Sequence, residues 1–454
     1  MQQKPKQHGL HTMYQNPSLL ANVRDPHEGF SHPGDELLTG NILLKKEVYD
    51  LGYTAVVNGT IYSASSRPDV PFMIKKGTIL IEDRTIKAVG EHVDIPEGSH
   101  VINAEGCIVT PGLFDAHCHI GIYEDGATEA GNDTNESSDP VTAEVRALDA
   151  INPRDVAFKD AIAAGVTCVQ TDPGSANIIG GQTVVMKTWG SSVADELIVK
   201  FPSGMKGALG ENPKRVYSGQ DKMPKTRMGN AAVMRKALVQ TKDYLRKKEL
   251  AADKPDKRPD YDLSKEALAC VIRKEIPLRV HCHRADDILT AIRIAKEFDI
   301  DISLEHCTEG DKVLESVKAS GFPATMGPSL TDKSKLEVKD IGFAAPVALS
   351  KAGVKLALIT DHPVFPIQYL RLSAGLAIRE GMDEDYALLS ITRYPAEIAG
   401  VSDRLGSIEP GKDADLVIWT KDPFEYDSKV LYTFIEGKCV YEATNDSKIG
   451  GEKA

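Results

Sequence analysis

Two histidines one residue apart at the end of an apolar run, in the stretch Leu113-Phe-Asp-Ala-His-Cys-His119, constrain this chain more than any other feature. Side chains alternate faces along a strand, so His117 and His119 point one way and Cys118 the other. Two imidazoles on one face are half a metal site. Three later segments carry the same kind of signal: Leu278 to His283 ends in a second His-x-His, Asp301 to His306 ends in one histidine, and Val354 to Ile359 runs apolar into Thr360-Asp361-His362. Of the twelve histidines, six lie in these four segments. Each segment delivers a ligand-type residue at the C-terminal end of a β-like run, where the loops of a TIM barrel converge on one face.

The rest of the pattern fits a barrel carried by a second domain. Strand-like runs near 113–118, 166–171, 183–188, 205–210, 278–283, 301–306, 322–327 and 354–360 make eight candidates. Helical stretches such as 153–164, 230–248, 285–297 and 312–319 separate several of them, and alternating β and α units imply a parallel sheet. Short β-rich runs punctuated by glycine and Asn-Gly turns fill 54–112 and return at 414–441. The expected architecture is therefore α/β: a (β/α)8 TIM barrel over 113–404, inserted into a small composite β-sandwich domain built from 51–112 and 405–443. Residues 1–50 read as an N-terminal extension and 444–454 as a C-terminal tail.

Composition narrows the partners. A net charge of −12 opposes a nonspecific nucleic-acid role. No segment approaches the apolar length of a membrane span, and the first 30 residues lack the apolar core of a signal peptide, so the expectation is a cytoplasmic protein with a small-molecule substrate. A homo-oligomer is compatible with a fold of this size. Seven scattered cysteines do not make a disulfide framework. Cys118, Cys282 and Cys307 adjoin candidate ligands, but alternation makes them small buried apolar residues rather than thiolates.

The order of His117-x-His119 after Thr-Pro-Gly-Leu-Phe-Asp, the strand-ending histidines, the closing aspartate and the run Arg404-Leu-Gly-Ser-Ile-Glu-Pro-Gly-Lys-Asp-Ala-Asp-Leu-Val resembles the amidohydrolase superfamily over residues 54–443, and most of all its imidazolonepropionase-like members. That resemblance implies a divalent metal site, one ion or two. Its ligands are His117, His119, the fifth-strand His281, His306 and Asp361. Where two metals are bound, a carboxylated lysine or a glutamate at the end of the fourth strand bridges them. Glu211 is the expected bridge, because Lys206 and Lys214 do not sit clearly at a strand end. His283 shares a face with His281 and is expected to ligate or touch substrate. Such N and O donors suit zinc, with iron or manganese as alternatives.

The implied chemistry is hydrolysis of a C–N bond in an amide, cyclic amide or dipeptide-like compound. A metal-bound hydroxide attacks, and Asp361 takes its proton and returns it to the leaving nitrogen. Asp115 and Glu305 are expected off the histidine face, as packing or supporting residues. Arg284 above all, with Arg215, is expected to bind a substrate carboxylate, and Gln182 in the glycine-rich 174–182 loop and His362 to touch substrate. The alternative enzyme is a single-metal deaminase of a heterocyclic amidine, which commonly places a glutamate shortly after the fifth-strand histidine; here Cys-His-Arg-Ala-Asp-Asp follows His281. A non-catalytic scaffold would need lost ligands, and all five first-named ligands are present.

Overall fold

The computed structural model describes residues 52–444. The extension expected over 1–50 and all but the first residue of the tail expected over 444–454 lie outside the described residues. The two ends of the described chain build one sheet. β1 (Tyr53–Tyr62), β2 (Met73–Glu82), β3 (Thr85–Gly90), β4 (His100–Asn103) and β5 (Ile108–Pro111) come first in the chain. Eight further strands follow: β6 (Leu113–Cys118), β7 (Val166–Thr171), β8 (Ile179–Lys187), β9 (Ile198–Ala208), β10 (Leu278–Cys282), β11 (Ile302–His306), β12 (Ala324–Met326) and β13 (Leu356–Leu358). β14 (Leu416–Trp419), β15 (Val430–Ile435) and β16 (Lys438–Glu442) then return to the first sheet, where β14 pairs antiparallel with β5. The order there is β16-β15-β14-β5-β1-β2-β3, with β4 also on β1. Ile61, Ile79, Ile81, Val109, Ile418 and Phe434 are buried together in its core.

The second sheet runs β6 to β13 in chain order and is nearly closed into a TIM-like barrel. The amide of His119 donates to the carbonyl of His362 at 2.8 Å and that of Asp361 to the carbonyl of His117 at 3.1 Å, so the first and last strands meet at the ends that carry the histidines. Below that seam Asp115 accepts from the backbone amides of His117 (3.2 Å) and Thr360 (3.1 Å) and from the Thr360 hydroxyl.

One strand corrects the all-parallel expectation. β8 is antiparallel to both β7 and β9. Only 172–178 joins β7 to β8, too few residues for the crossover of a dozen or more that a parallel pair needs. The glycine-rich stretch expected as a loop therefore supplies the first half of a strand. At Gly181, φ is +122° and a Cβ would stand 2.5 Å from the Val145 carbonyl oxygen, so only glycine fits.

The helices outside the barrel follow their apolar spacing. Over Ala285–Phe298 the buried residues Ile288, Ala291, Ile292, Ala295 and Phe298 recur at helical spacing and face the strands, and the helix stops where Asp299 turns left-handed at φ 54°. The 24-residue helix Arg227–Leu250 begins where the Thr226 side chain accepts from the Gly229 amide.

Candidate metal centre and active site

The barrel's strand ends bring five of the six expected ligands together. His117, His306 and Asp361 offer ligand atoms within 4.8 Å of one another; His281, His283 and His306 do the same beside them, and His117 with Asp172 and Glu305 makes a third group. His119 joins through Nε2, 3.2 Å from Asp361 Oδ1, and His117 Nε2 is 3.4 Å from the same oxygen.

The outer partners decide which nitrogen each ring presents. His117 Nδ1 donates to Glu305 Oε2 at 2.7 Å, His119 Nδ1 to the Asp172 carbonyl at 2.7 Å and His306 Nδ1 to the Gly327 carbonyl at 2.8 Å. Carbonyl and carboxylate oxygens only accept, so Nδ1 carries a hydrogen in all three, and Nε2 is the nitrogen that can bind an ion once the ring is neutral. His283 Nδ1 is tied to Thr308 Oγ1 at 2.8 Å, and His281 Nδ1 is buried without a partner.

Charge completes the picture. Burial lowers the pKa of His281 and His283 well below the ordinary imidazole value and that of His306 to about 4, so these three rings are neutral at pH 7. At His117, burial and the Lys206 ammonium oppose protonation, but Asp172, Asp361 and Glu305 outweigh them and hold the ring at about 9. Burial raises Asp361, yet His306 and the hydrogen bonds from His117 and His119 keep it well below the carboxylate range and ionised. Neutral buried imidazoles, one orphaned ring nitrogen and an ionised, partly buried aspartate fit a divalent ion of the kind that takes nitrogen and oxygen ligands. Cys118, Cys282 and Cys307 are fully buried, and burial raises all three thiols.

Two of these residues hold uncommon backbone. His306 has φ 66° and Asp361 φ 55°, the left-handed region that costs a non-glycine residue about 1–3 kcal/mol. In the strand register His281 pairs with Glu305 and Cys282 with His306, so strict alternation would put Glu305 on the histidine face and turn His306 away with Cys282. The left-handed turn brings His306 back. This corrects the expectation for Glu305, which lies on the inward face, receives hydrogen bonds from Ser303 and Thr325, and stands 3.7 Å from the Nη1 of the fully buried Arg279.

Glu211 is not in the cluster. It opens the helix Glu211–Gly219, where its amide donates to Glu337 Oε2 at 2.8 Å. Lys206 stands in the cluster instead: β9 continues to Ala208, Lys206 is 1% exposed, and its Nζ is 3.0 Å from His117 Nε2 and 3.8 Å from Asp172 Oδ2. The substrate residues scatter. Arg284 is bound bidentately by Asp286 at 3.0 Å, and Arg215 is exposed on its helix. Gln182 lies in β8 with Nε2 3.4 Å from the Ala143 carbonyl. His362 is buried beside the seam, where Nδ1 accepts from the Ile367 amide at 3.2 Å and Nε2 has no partner. Asp172 and Glu337 escape a sequence reading because the first lies in a loop and the second in the single 3-10 turn Leu336–Val338; the one signal for Lys206 is its place in an otherwise small and apolar strand end.

Comparison with known proteins agrees with this geometry. The model of the amidohydrolase family matches residues 181–440. A solved amidohydrolase from Thermotoga maritima MSB8 is 43% identical, with a TM-score of 0.82 over 86% of this chain and 100% of that one. The amidohydrolase tasK of Hapsidospora irregularis is 28% identical over 81% of this chain, which spans only 40% of that protein's length. The imidazolonepropionase of Paracoccus denitrificans is 23% identical over 81% of this chain and 94% of its own.

Proposed function

This chain belongs to the amidohydrolase family and is an enzyme that hydrolyses C–N bonds, and on that premise we propose that it acts on a small amide, cyclic amide or dipeptide-like compound at a divalent metal centre. His117, His119, His281, His306 and Asp361 would hold the metal, zinc fitting the donor set best. The observation that carries this reading is the shared orientation of His117, His119 and His306, each tied outward through Nδ1 by an acceptor-only oxygen. A bound divalent ion lowers the pKa of water from 15.7 to about 7 and polarises a carbonyl oxygen.

The bridging role passes from Glu211 to Lys206. An ammonium cannot ligate a metal. Addition of carbon dioxide to the neutral Lys206 amine forms an N–C bond, releases one proton and leaves a carboxylate beside His117, with a charge that suits two cations rather than none.

Asp361 moves the proton. It is ionised, lies within 3.4 Å of two imidazole Nε2 atoms, and can take a proton from water and return it to the departing nitrogen, as one carboxylate serving both halves of the reaction. Glu305 fixes the ring of His117, and His283, neutral and held by Thr308, faces the same space, where it contacts substrate or ligand.

The test is Asp361→Asn in the full chain. Loss of turnover by about 10²–10⁴-fold with a well-folded protein is expected from removal of the proton acceptor; hydrolysis at the wild-type rate contradicts the role.

A further inference from the structure

The connection between β12 and the helix Ala344–Lys351 carries an ion pair to the edge of the imidazole cluster. Glu337 pins it. This carboxylate is buried, accepts the Glu211 amide at 2.8 Å, and has Arg227 Nη2 at 3.8 Å. Gly210 makes room, since a Cβ there would stand 2.8 Å from Glu337 Oε2.

Lys335, two residues earlier, points its Nζ at Glu337 Oε1 (2.9 Å) and donates to Asn212 Oδ1 (2.9 Å). Asn212 in turn donates to Ser175 Oγ at 2.8 Å and lies 3.5 Å from His281 Nε2, while Glu337 Oε1 is 3.8 Å from that same nitrogen. Lys335 and His281 therefore share both neighbours. An ammonium has three donors: one goes to Asn212, the contact with Glu337 Oε1 is an ion pair in which that oxygen accepts no hydrogen bond, and the side chain is 16% exposed, so an N–H remains for a ligand. Arg227 and Arg284 differ: the first is held by Asp287 at 2.9 Å and the second by Asp286. A cation beside a group of residues suited to a divalent ion is repelled by that ion, and an anion between them removes the repulsion.

We propose that Lys335, with Asn212 and Ser175 at its side, forms a carboxylate subsite, and that the substrate is an amide bearing a free carboxylate close to the scissile bond, such as an N-acyl amino acid or a dipeptide. This deepens the C–N hydrolase reading above and rests on it.

The experiment is calorimetric binding of a panel of N-acetyl amino acids and their neutral primary amides to the full chain, metal-loaded and metal-stripped, so that affinity is read without turnover. At least one pair is expected to favour the carboxylate by ~10-fold or more, the strength of a charge-assisted hydrogen bond. Lys335→Met should bring that ratio near one and Lys335→Arg should keep most of it; Lys335→Gln is read in place of the methionine variant if the latter does not fold. No carboxylate preference in any pair, or an unchanged ratio in the folded methionine or glutamine variant, overturns the subsite and leaves Lys335 as a counter-charge for Glu337. Hydrolysis of the panel is followed separately: preference without cleavage counts against the hydrolytic reading for these compounds, and cleavage without preference against the subsite.

Discussion

Glu305→Gln separates two consequences of one buried charge. In the wild type the carboxylate holds His117 Nδ1–H at 2.7 Å and stands 3.7 Å from Arg279, whose Nε and Nη1 have no hydrogen-bond partner and whose side chain is fully buried. Glutamine keeps the shape and can still accept from His117, but it removes the charge. The histidine becomes a weaker and less firmly held ligand, and loss of such an outer partner costs about 10–100-fold in metal affinity. Arg279 becomes a buried cation without compensation, which costs about 3–5 kcal/mol of stability. Competition with a chelator reads the first and denaturant unfolding of the metal-free protein the second. Adding Arg279→Met to Glu305→Gln should recover most of the stability, since both charges are then gone, and should leave metal affinity low. Unchanged metal affinity in the single variant would refute the claim that Glu305 orients His117. Stability lost in the double variant as in the single would refute the pairing with Arg279.

Gly210→Ala forces a Cβ to 2.8 Å from Glu337 Oε2 at a backbone φ of 87°, so a loss of about 1 kcal/mol or more is expected in equilibrium unfolding. Glu409 is held below the ordinary carboxylate range: burial opposes ionisation, but Ser407, Ser65 and Lys412 outweigh it. A depressed pKa stabilises the fold above the unfolded value of about 4.3 and loses that contribution as pH falls through the folded one. Glu409→Gln should therefore unfold more readily than wild type at pH 7, with the gap closing below about pH 4; a gap that widens on acidification contradicts the assignment.

The histidines were legible because period-2 alternation is a local property: His117 with His119 and His281 with His283 need only the strand. Asp361 was legible from an apolar run ending in an acid. His306 reaches the cluster for a reason no alternation rule contains, the left-handed backbone at its own position. Lys206 was misplaced because the end of β9 depends on its register against β10, where Lys206 pairs with Arg279 and Ala208 with His281. The strand on the other side of β9 is β8, whose reversed direction is hidden in a glycine-rich stretch that reads as a loop. Arg284 looked like a carboxylate binder because its neighbour two residues on, Asp286, does not announce itself as its partner. Lys335 carries no motif, and only the folding of a long connection puts it beside Asn212.

Metal content tests the central claim most directly: elemental analysis of wild type, Lys206→Met and Glu211→Gln, each purified without chelator. The account predicts wild-type metal in Glu211→Gln and the loss of at least one ion in Lys206→Met. Full metal in Lys206→Met together with loss in Glu211→Gln would contradict it and return the bridge to the glutamate.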